Sequence, residues 1–336
     1  MNKSSALDPA GGVVRRLLSN ESTALANGTE KAMALHVIVG KGPVGSTTAG
    51  LLAGQGHEVR VLSRSGGESG NGIEHRAVDA ADADALTAAT RGAAVVYNAV
   101  NPTYWRWASD WPPVATALLS AADASGAVLV AMGNLYGYGR PTGVMTPDTP
   151  LAATDTKGVV RARMWVEMLA AHEAGRVRVS EVRASDFVGP QVPAAQSHLQ
   201  RQLPALRAGR RAWIVGDPDA PRSWSFLDDV AQALVTAGAD ERAWGHAWHV
   251  PSTVRSHREA LTDLAAALGR PAPRVSGIPW PVLQAIGLGS PMMREVVAVR
   301  HQFDAPFVLD AADTTATFGL TATPWPEVVR AAVGRP

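Results

Sequence analysis

Lys157 and Arg161 stand four positions apart in the stretch TKGVVRAR, just behind a loop rich in Pro and Gly. On a helix this spacing puts both cations on one face, a turn apart. A guanidinium beside an ammonium disfavours the second positive charge, which would ease proton loss from Lys157 and suit it to acid–base work. The same pair on a wet helix face would do no chemistry. Tyr136 and Tyr138 lie upstream in NLYGYG, and a phenol from that loop is a second candidate for moving a proton.

A second group of residues could hold a phosphate. ALHVIVG at 34–40 has the apolar run of a strand buried on both faces, and GKGPVGSTTAGLLAGQG follows it. Gly40, Gly42 and Gly45, with Pro43 and Val44 between them, form G-x-G-x-x-G between a strand and a helix. The first glycine allows a tight turn, the second a close backbone approach to a pyrophosphate, the third helix–strand packing; the helix N-terminus then faces the phosphates. The end of the next strand selects between cofactors. An acid there would bind the ribose hydroxyls of NAD, whereas this chain has Ser63, Arg64 and Ser65, which suit the 2′-phosphate of NADP. NADP is therefore expected ahead of NAD. Asp79 is expected either near the adenine or as the start of the next helix.

Strands are expected at 34–40, 58–64, 74–80, 93–100, 127–134 and 177–187, and helices after Gly45 and at 81–90, 110–124 and 159–175. This alternation implies right-handed crossovers and an α/β fold, a doubly wound, mostly parallel sheet of Rossmann type. It stops near residue 190. The expected organisation is a loosely ordered extension over 1–32, with a short helix at 13–18 as the lesser reading, then a dinucleotide-binding domain over 33–186. A smaller, mainly substrate-binding region over 187–336 follows, with segments returning to the core.

The totals exclude several classes. Lys and Arg number 31 against 30 Asp and Glu, so the net charge of +1 offers neither nucleic acid nor an anionic membrane a strong basic field. With no cysteine, thiolate metal sites, disulfides and a Cys nucleophile are impossible, which fits a reducing cytoplasm. The nine histidines show no ligand spacing, so no metal is expected. No apolar run is long enough to span a bilayer.

Four stretches, VGKGPVG, MGNLYGYG, RASDFVGP and RSWSFLDDVAQAL, resemble the extended short-chain dehydrogenase/reductase superfamily, the NAD-dependent epimerase/dehydratase group, over about 33–330. The resemblance implies a Ser or Thr after strand five and a Tyr-x-x-x-Lys on the next helix. Here those positions read Gly133-Asn134 and Lys157-x-x-x-Arg161. Three readings stay open: Arg161 takes the lysine's place at the nicotinamide ribose while Lys157 transfers the proton; Tyr136 or Tyr138 transfers it from another direction; or proton transfer is lost. Asn134 belongs with the catalytic candidates, and Asn98, Ala99 and Asn101 with those beside the cofactor. Asp186 stands where the family often has Asn near the substrate. Arg222 matches an arginine that grips the diphosphate in sugar-nucleotide relatives. Asp228 and Asp229 are expected to cap the following helix.

Tyr104, Trp105, Trp107 and Trp111 cluster after strand four, at the sheet edge where α/β folds keep ligands, and read equally as an aromatic substrate wall or as core. The leading expectation is an NADP-dependent oxidoreductase or epimerase-like enzyme with an atypical site. Its substrate would be a small organic molecule, aromatic or polyketide-like. A redox-neutral isomerase, dehydratase or cyclase, and a dinucleotide-binding regulator without turnover, are the alternatives. Whether two copies form a homodimer is left open.

Overall fold

The computed structural model describes Met1 and residues 34–334, of which 35–334 form one compact unit. The N-terminal extension, including 13–18, lies outside the described residues. Six strands, with helices between all but β2 and β3, come first: β1 (Leu35–Val39), β2 (Glu58–Ser63), β3 (Ile73–Ala77), β4 (Ala93–Asn98), β5 (Val128–Asn134) and β6 (Val179–Ala184). Three short strands come next, β7 (Asp186–Val188), β8 (Ala212–Val215) and β9 (Arg222–Phe226), followed by β10 (Ala247–His249). The main sheet is parallel throughout, in the order β10-β6-β5-β4-β1-β2-β3. This is the doubly wound arrangement, with the strand order reversing between β1 and β4.

The helices needed to cover it are α1 (Pro43–Gly54), α2 (Ala83–Thr90), α3 (Trp107–Ser125), α4 (Thr156–Glu173), α5 (Leu203–Arg207) and α6 (Leu227–Ala239). One face of the sheet packs on α2, α3 and α4 through a core that includes Leu86, Trp111, Leu118 and Met164. The other packs on α1 and α6 through Val44, Leu52, Val230 and Leu234. Strands such as LHVIV and VLVAMGN are apolar along their length because helices remove both of their faces from water.

Three boundaries differ from the sequence reading for identifiable reasons. α4 begins at Thr156 rather than 159, because the Asp155 carboxylate accepts the Gly158 amide at 2.9 Å. α3 begins at Trp107 rather than 110; Trp107 and Trp111, one turn apart, are both buried, and their shared face carries the helix through Pro112 and Pro113. β6 ends at Ala184, because the Ser185 amide donates to the Ser225 hydroxyl at 3.0 Å and leaves the ladder. The chain then enters β7, which pairs with β9 in a separate three-stranded sheet.

Beyond β10 come α7 (His257–Ala267), α8 (Trp280–Gly289) and α9 (Pro291–Ala298). α5 and α7 share a third core with β7, β8 and β9, built around Leu206, Trp224, Leu261 and Leu264. The first turn of α6 differs from expectation: Phe226 is its N-cap residue, without a side-chain bond. Asp229 instead receives the amide and hydroxyl of Thr323, at 2.9 and 2.6 Å, and so ties down the C-terminal segment. Among the described residues no helix is long and apolar enough to cross a membrane.

Candidate active site

At the glycine turn, Gly40 adopts φ +113°, and a Cβ there would stand 2.5 Å from the Ala99 carbonyl oxygen. Only glycine fits. A Cβ at Gly45 would collide with the Gly40 carbonyl, whereas one at Gly42 would meet nothing within 4 Å. The turn is thus tight beneath and open above. Gly42 caps α1 in an extended conformation with Pro43 at the first helical position, and the first-turn amides have no intrahelical acceptor. Lys41, Gly42, Ser46, Thr47 and Gln191 line the cleft over them. These features fit a dinucleotide pyrophosphate.

At the end of β2, Ser63 donates to the Gly66 carbonyl at 3.2 Å, and Lys41 Nζ reaches the same oxygen at 2.8 Å. Arg64 is exposed and bonds no other side chain among the described residues. Lys41 went unnoticed in the sequence reading, although its place inside the glycine turn was a visible signal. Asp79 is exposed and accepts the Ala81 amide at 3.0 Å; the next helix is capped by Asp82 instead. Asn98 and Asn134, the last residues of β4 and β5, do the same local work. Each carboxamide oxygen accepts the amide two residues on, Val100 and Tyr136, both at 3.1 Å. Ala99 continues the β4 pairing through the Val39 carbonyl, and Asn101 is exposed.

The cation pair is brought to the site but not left free. Lys157 is 2 % exposed, its Nζ paired with Glu295 of α9 and lying 4.1 Å from the centre of the Tyr104 ring. The charge that Arg161 was expected to oppose is balanced by Glu295, a residue that no motif marks. Arg161 turns inward and is buried. Its Nη1 donates to the Met132 carbonyl at 3.2 Å, and the guanidinium lies 4.8 and 4.4 Å from the ring centres of Trp107 and Trp111. Burial pulls its pKa down to about 10, against the pull of the Glu181 charge, so it stays charged at neutral pH. Trp107 is 4 % exposed and contacts this guanidinium; Trp105, by contrast, is exposed.

Tyr136 is only partly buried. The Tyr104 hydroxyl donates to its oxygen at 3.4 Å, which leaves the Tyr136 proton uncommitted. Burial raises the Tyr136 pKa, opposed by the Tyr104 hydrogen bond; the Asp186 charge raises it further, and those of Arg222 and Arg161 lower it. Burial raises that of Tyr104 as well. Both are neutral phenols near pH 7. A Cβ at Gly158 would run into the Tyr136 carbonyl, so this glycine lets the first turn of α4 close on the tyrosine loop.

The substrate-side pair is also formed. Asp186 Oδ2 accepts from Arg222 Nε and Nη2 at 2.7 and 2.5 Å, and His198 Nε2 stands 3.7 Å from Oδ1. Burial lowers the His198 pKa to about 4, so that approach is not an ion pair at neutral pH.

Behind the site lies a polar chain that the sequence reading missed. Arg183 donates to Glu181 and to the Tyr138 hydroxyl, both at 2.6 Å; Tyr138 meets His249 Nε2 at 2.7 Å, and His249 Nδ1 meets the Asp310 carbonyl at 2.8 Å. Burial holds His249 near pKa 4, neutral, which lets it accept from Tyr138 while donating to Asp310. Tyr138 is committed to this chain and is 2 % exposed, so it drops out as a proton donor to substrate. Two charges at alternate positions of VSEVRA, an otherwise apolar strand, were the available signal.

Glu181 also explains the missing Ser or Thr of strand five. A Cβ at Gly133 would lie 2.7 Å from Glu181 Oε1, and Arg183 keeps that carboxylate from moving aside. Gly133→Ser is expected to destabilise the fold by roughly 1–3 kcal/mol through overpacking, read as a lower urea midpoint. An unchanged midpoint would show that Glu181 can yield. Among the described residues no group of three or more His, Cys, Asp or Glu could hold a metal ion.

The doubly wound sheet with a glycine turn at the exit of β1 defines a dinucleotide-binding α/β protein. Residues 37–250 match the profile of the NAD dependent epimerase/dehydratase family, and the chain belongs to that family. No curated protein matches it in sequence. Among solved structures it is similar to the Bordetella bronchiseptica enzyme WbmH in complex with NAD+, with 21 % identity, TM-score 0.69, and coverage of 90 % of this chain and 97 % of that one. Similar too are UDP-glucose 4-epimerase from Thermotoga maritima with UDP-glucose (14 %, 0.74, 89 % and 97 %) and dTDP-glucose 4,6-dehydratase from Bacillus anthracis in complex with NAD (15 %, 0.72, 89 % and 95 %). At such identities the likeness is one of fold.

Proposed function

We propose that this chain is an NADP-dependent oxidoreductase or epimerase-like enzyme whose proton-transferring group is Tyr136. The observation that carries this reading is the uncommitted Tyr136 proton, beside a Lys157 engaged by Glu295 and an Arg161 packed against tryptophans. The amides after Gly42 hold the pyrophosphate, and Arg64 with Lys41 and Ser63 holds the 2′-phosphate. A bound nicotinamide supplies or accepts hydride. In the reductive direction Tyr136 gives its proton to the substrate oxygen as the carbonyl carbon gains hydride, so that a carbonyl becomes an alcohol. Arg161 stabilises the phenolate left behind. Tyr104 donates to that oxygen and holds it in place.

The cofactor assignment is tested by titrating the protein with NADPH and with NADH. NADPH is expected to bind more tightly, and Arg64→Ala to weaken NADPH roughly tenfold while leaving NADH unchanged. Equal affinities in the unaltered protein would overturn the NADP assignment. The Lys157–Glu295 pair favours one further reading, a dinucleotide-binding protein without turnover, because it fills the catalytic slot of the relatives with a neutralised charge. Cofactor-dependent binding to a partner, with no cofactor consumed, would support that reading.

A further inference from the structure

The substrate end of the proposed site already contains an anion. Arg222 is 4 % exposed, and its guanidinium is held over the rings of Trp224 and Phe303 at 5.6 and 5.4 Å. Two of its donors converge on Asp186 Oδ2. The neighbouring Arg201 has donors committed elsewhere, to the carbonyls of Ser197 and Ala195 at 3.1 and 3.0 Å. His198 is neutral and adds no positive charge. A ligand diphosphate would have to displace a carboxylate from a buried arginine and then remain beside that carboxylate, a like-charge contact. Asp186 Oδ1, by contrast, has no donor within hydrogen-bond distance among the described residues, and the Asp186 side chain is 22 % exposed. It can accept a hydroxyl.

We infer that Asp186 takes the place of a substrate's diphosphate, so that the site admits an uncharged, hydroxyl-bearing molecule and rejects nucleoside diphosphates. This rests on the proposed reading of that end of the site as the substrate end. Asp186 is then a specificity determinant through electrostatic exclusion, a repulsive element more than an attractive one.

The test is calorimetric titration of the full-length protein with uridine diphosphate, with and without saturating NADP. The unaltered protein is expected to show no saturable binding up to millimolar ligand. Asp186→Asn, which frees the guanidinium without changing shape, is expected to bind uridine diphosphate at least tenfold more tightly, and adding Arg222→Gln is expected to abolish that gain. Micromolar binding by the unaltered protein would overturn the inference with no variant needed. So would a folded Asp186→Asn, or Asp186→Ser as a second replacement, that gains nothing. Failure to bind NADP counts against the cofactor reading alone, because the titration without NADP still decides the point.

Discussion

Replacing Tyr136 by Phe is expected to slow turnover by about 10²–10⁴-fold, the usual contribution of a positioned general acid, while NADPH affinity stays the same. The phenol is the group at the end of β5 with a proton to give, and the ring itself packs against Trp107 with centroids 5.8 Å apart. Phe keeps that packing and removes only the hydroxyl. The measurement is NADPH oxidation with a carbonyl substrate that the unaltered protein reduces. Lys157→Met should cost much less, since Lys157 contacts Tyr104 and Glu295 and is 2 % exposed. The reverse pattern, a large loss at Lys157 and none at Tyr136, would return proton transfer to the lysine. No effect from either substitution would show that neither residue transfers the proton.

Arg183→Ala should be the most damaging change to stability, about 3–5 kcal/mol, because it strands a buried carboxylate. The Arg183 and Glu181 side chains are 3 % and 6 % exposed, so solvent screens them little. The loss would extend to Tyr138, which receives the other donor of the guanidinium. Chemical denaturation followed by circular dichroism reads it directly. The double change Glu181→Leu with Arg183→Met should recover most of the loss, since the penalty comes from an unpaired charge more than from the absence of the pair. If Arg183→Ala costs under about 1 kcal/mol, Arg161, whose charge also feels Glu181, must be able to compensate.

The parts of the fold that depend on local pattern could be read from the chain. Apolar runs such as LHVIV marked the buried strands, and the glycines at 40, 42 and 45 marked the cofactor turn, because steric demands there act between residues close in sequence. The candidate residues could be named from the chain, but not their partners. Nothing near Lys157 announces Glu295, which lies 138 positions away on a helix without a motif. The aromatic cluster was ambiguous for a related reason. Tyr104, Trp107 and Trp111 share a stretch of chain, and only the inward turn of Arg161 brings its guanidinium against the two tryptophans. The pairing of Glu181 with Arg183 was not legible, because the sixth strand with its RASDFVGP motif shows Arg183 but not that its side chain turns back two residues.

The crowding at Gly133 bears on any attempt to retrofit ordinary dehydrogenase chemistry into this scaffold. Installing a serine on β5, a tyrosine at 157 and a lysine at 161 one by one would pass through intermediates in which Glu181 was crowded, Glu295 had lost its cation or the two tryptophans their guanidinium. Those neighbours would have to be exchanged in the same step as the catalytic residues. A designer, like a lineage accumulating single substitutions, would meet a barrier here even though both endpoints share one backbone.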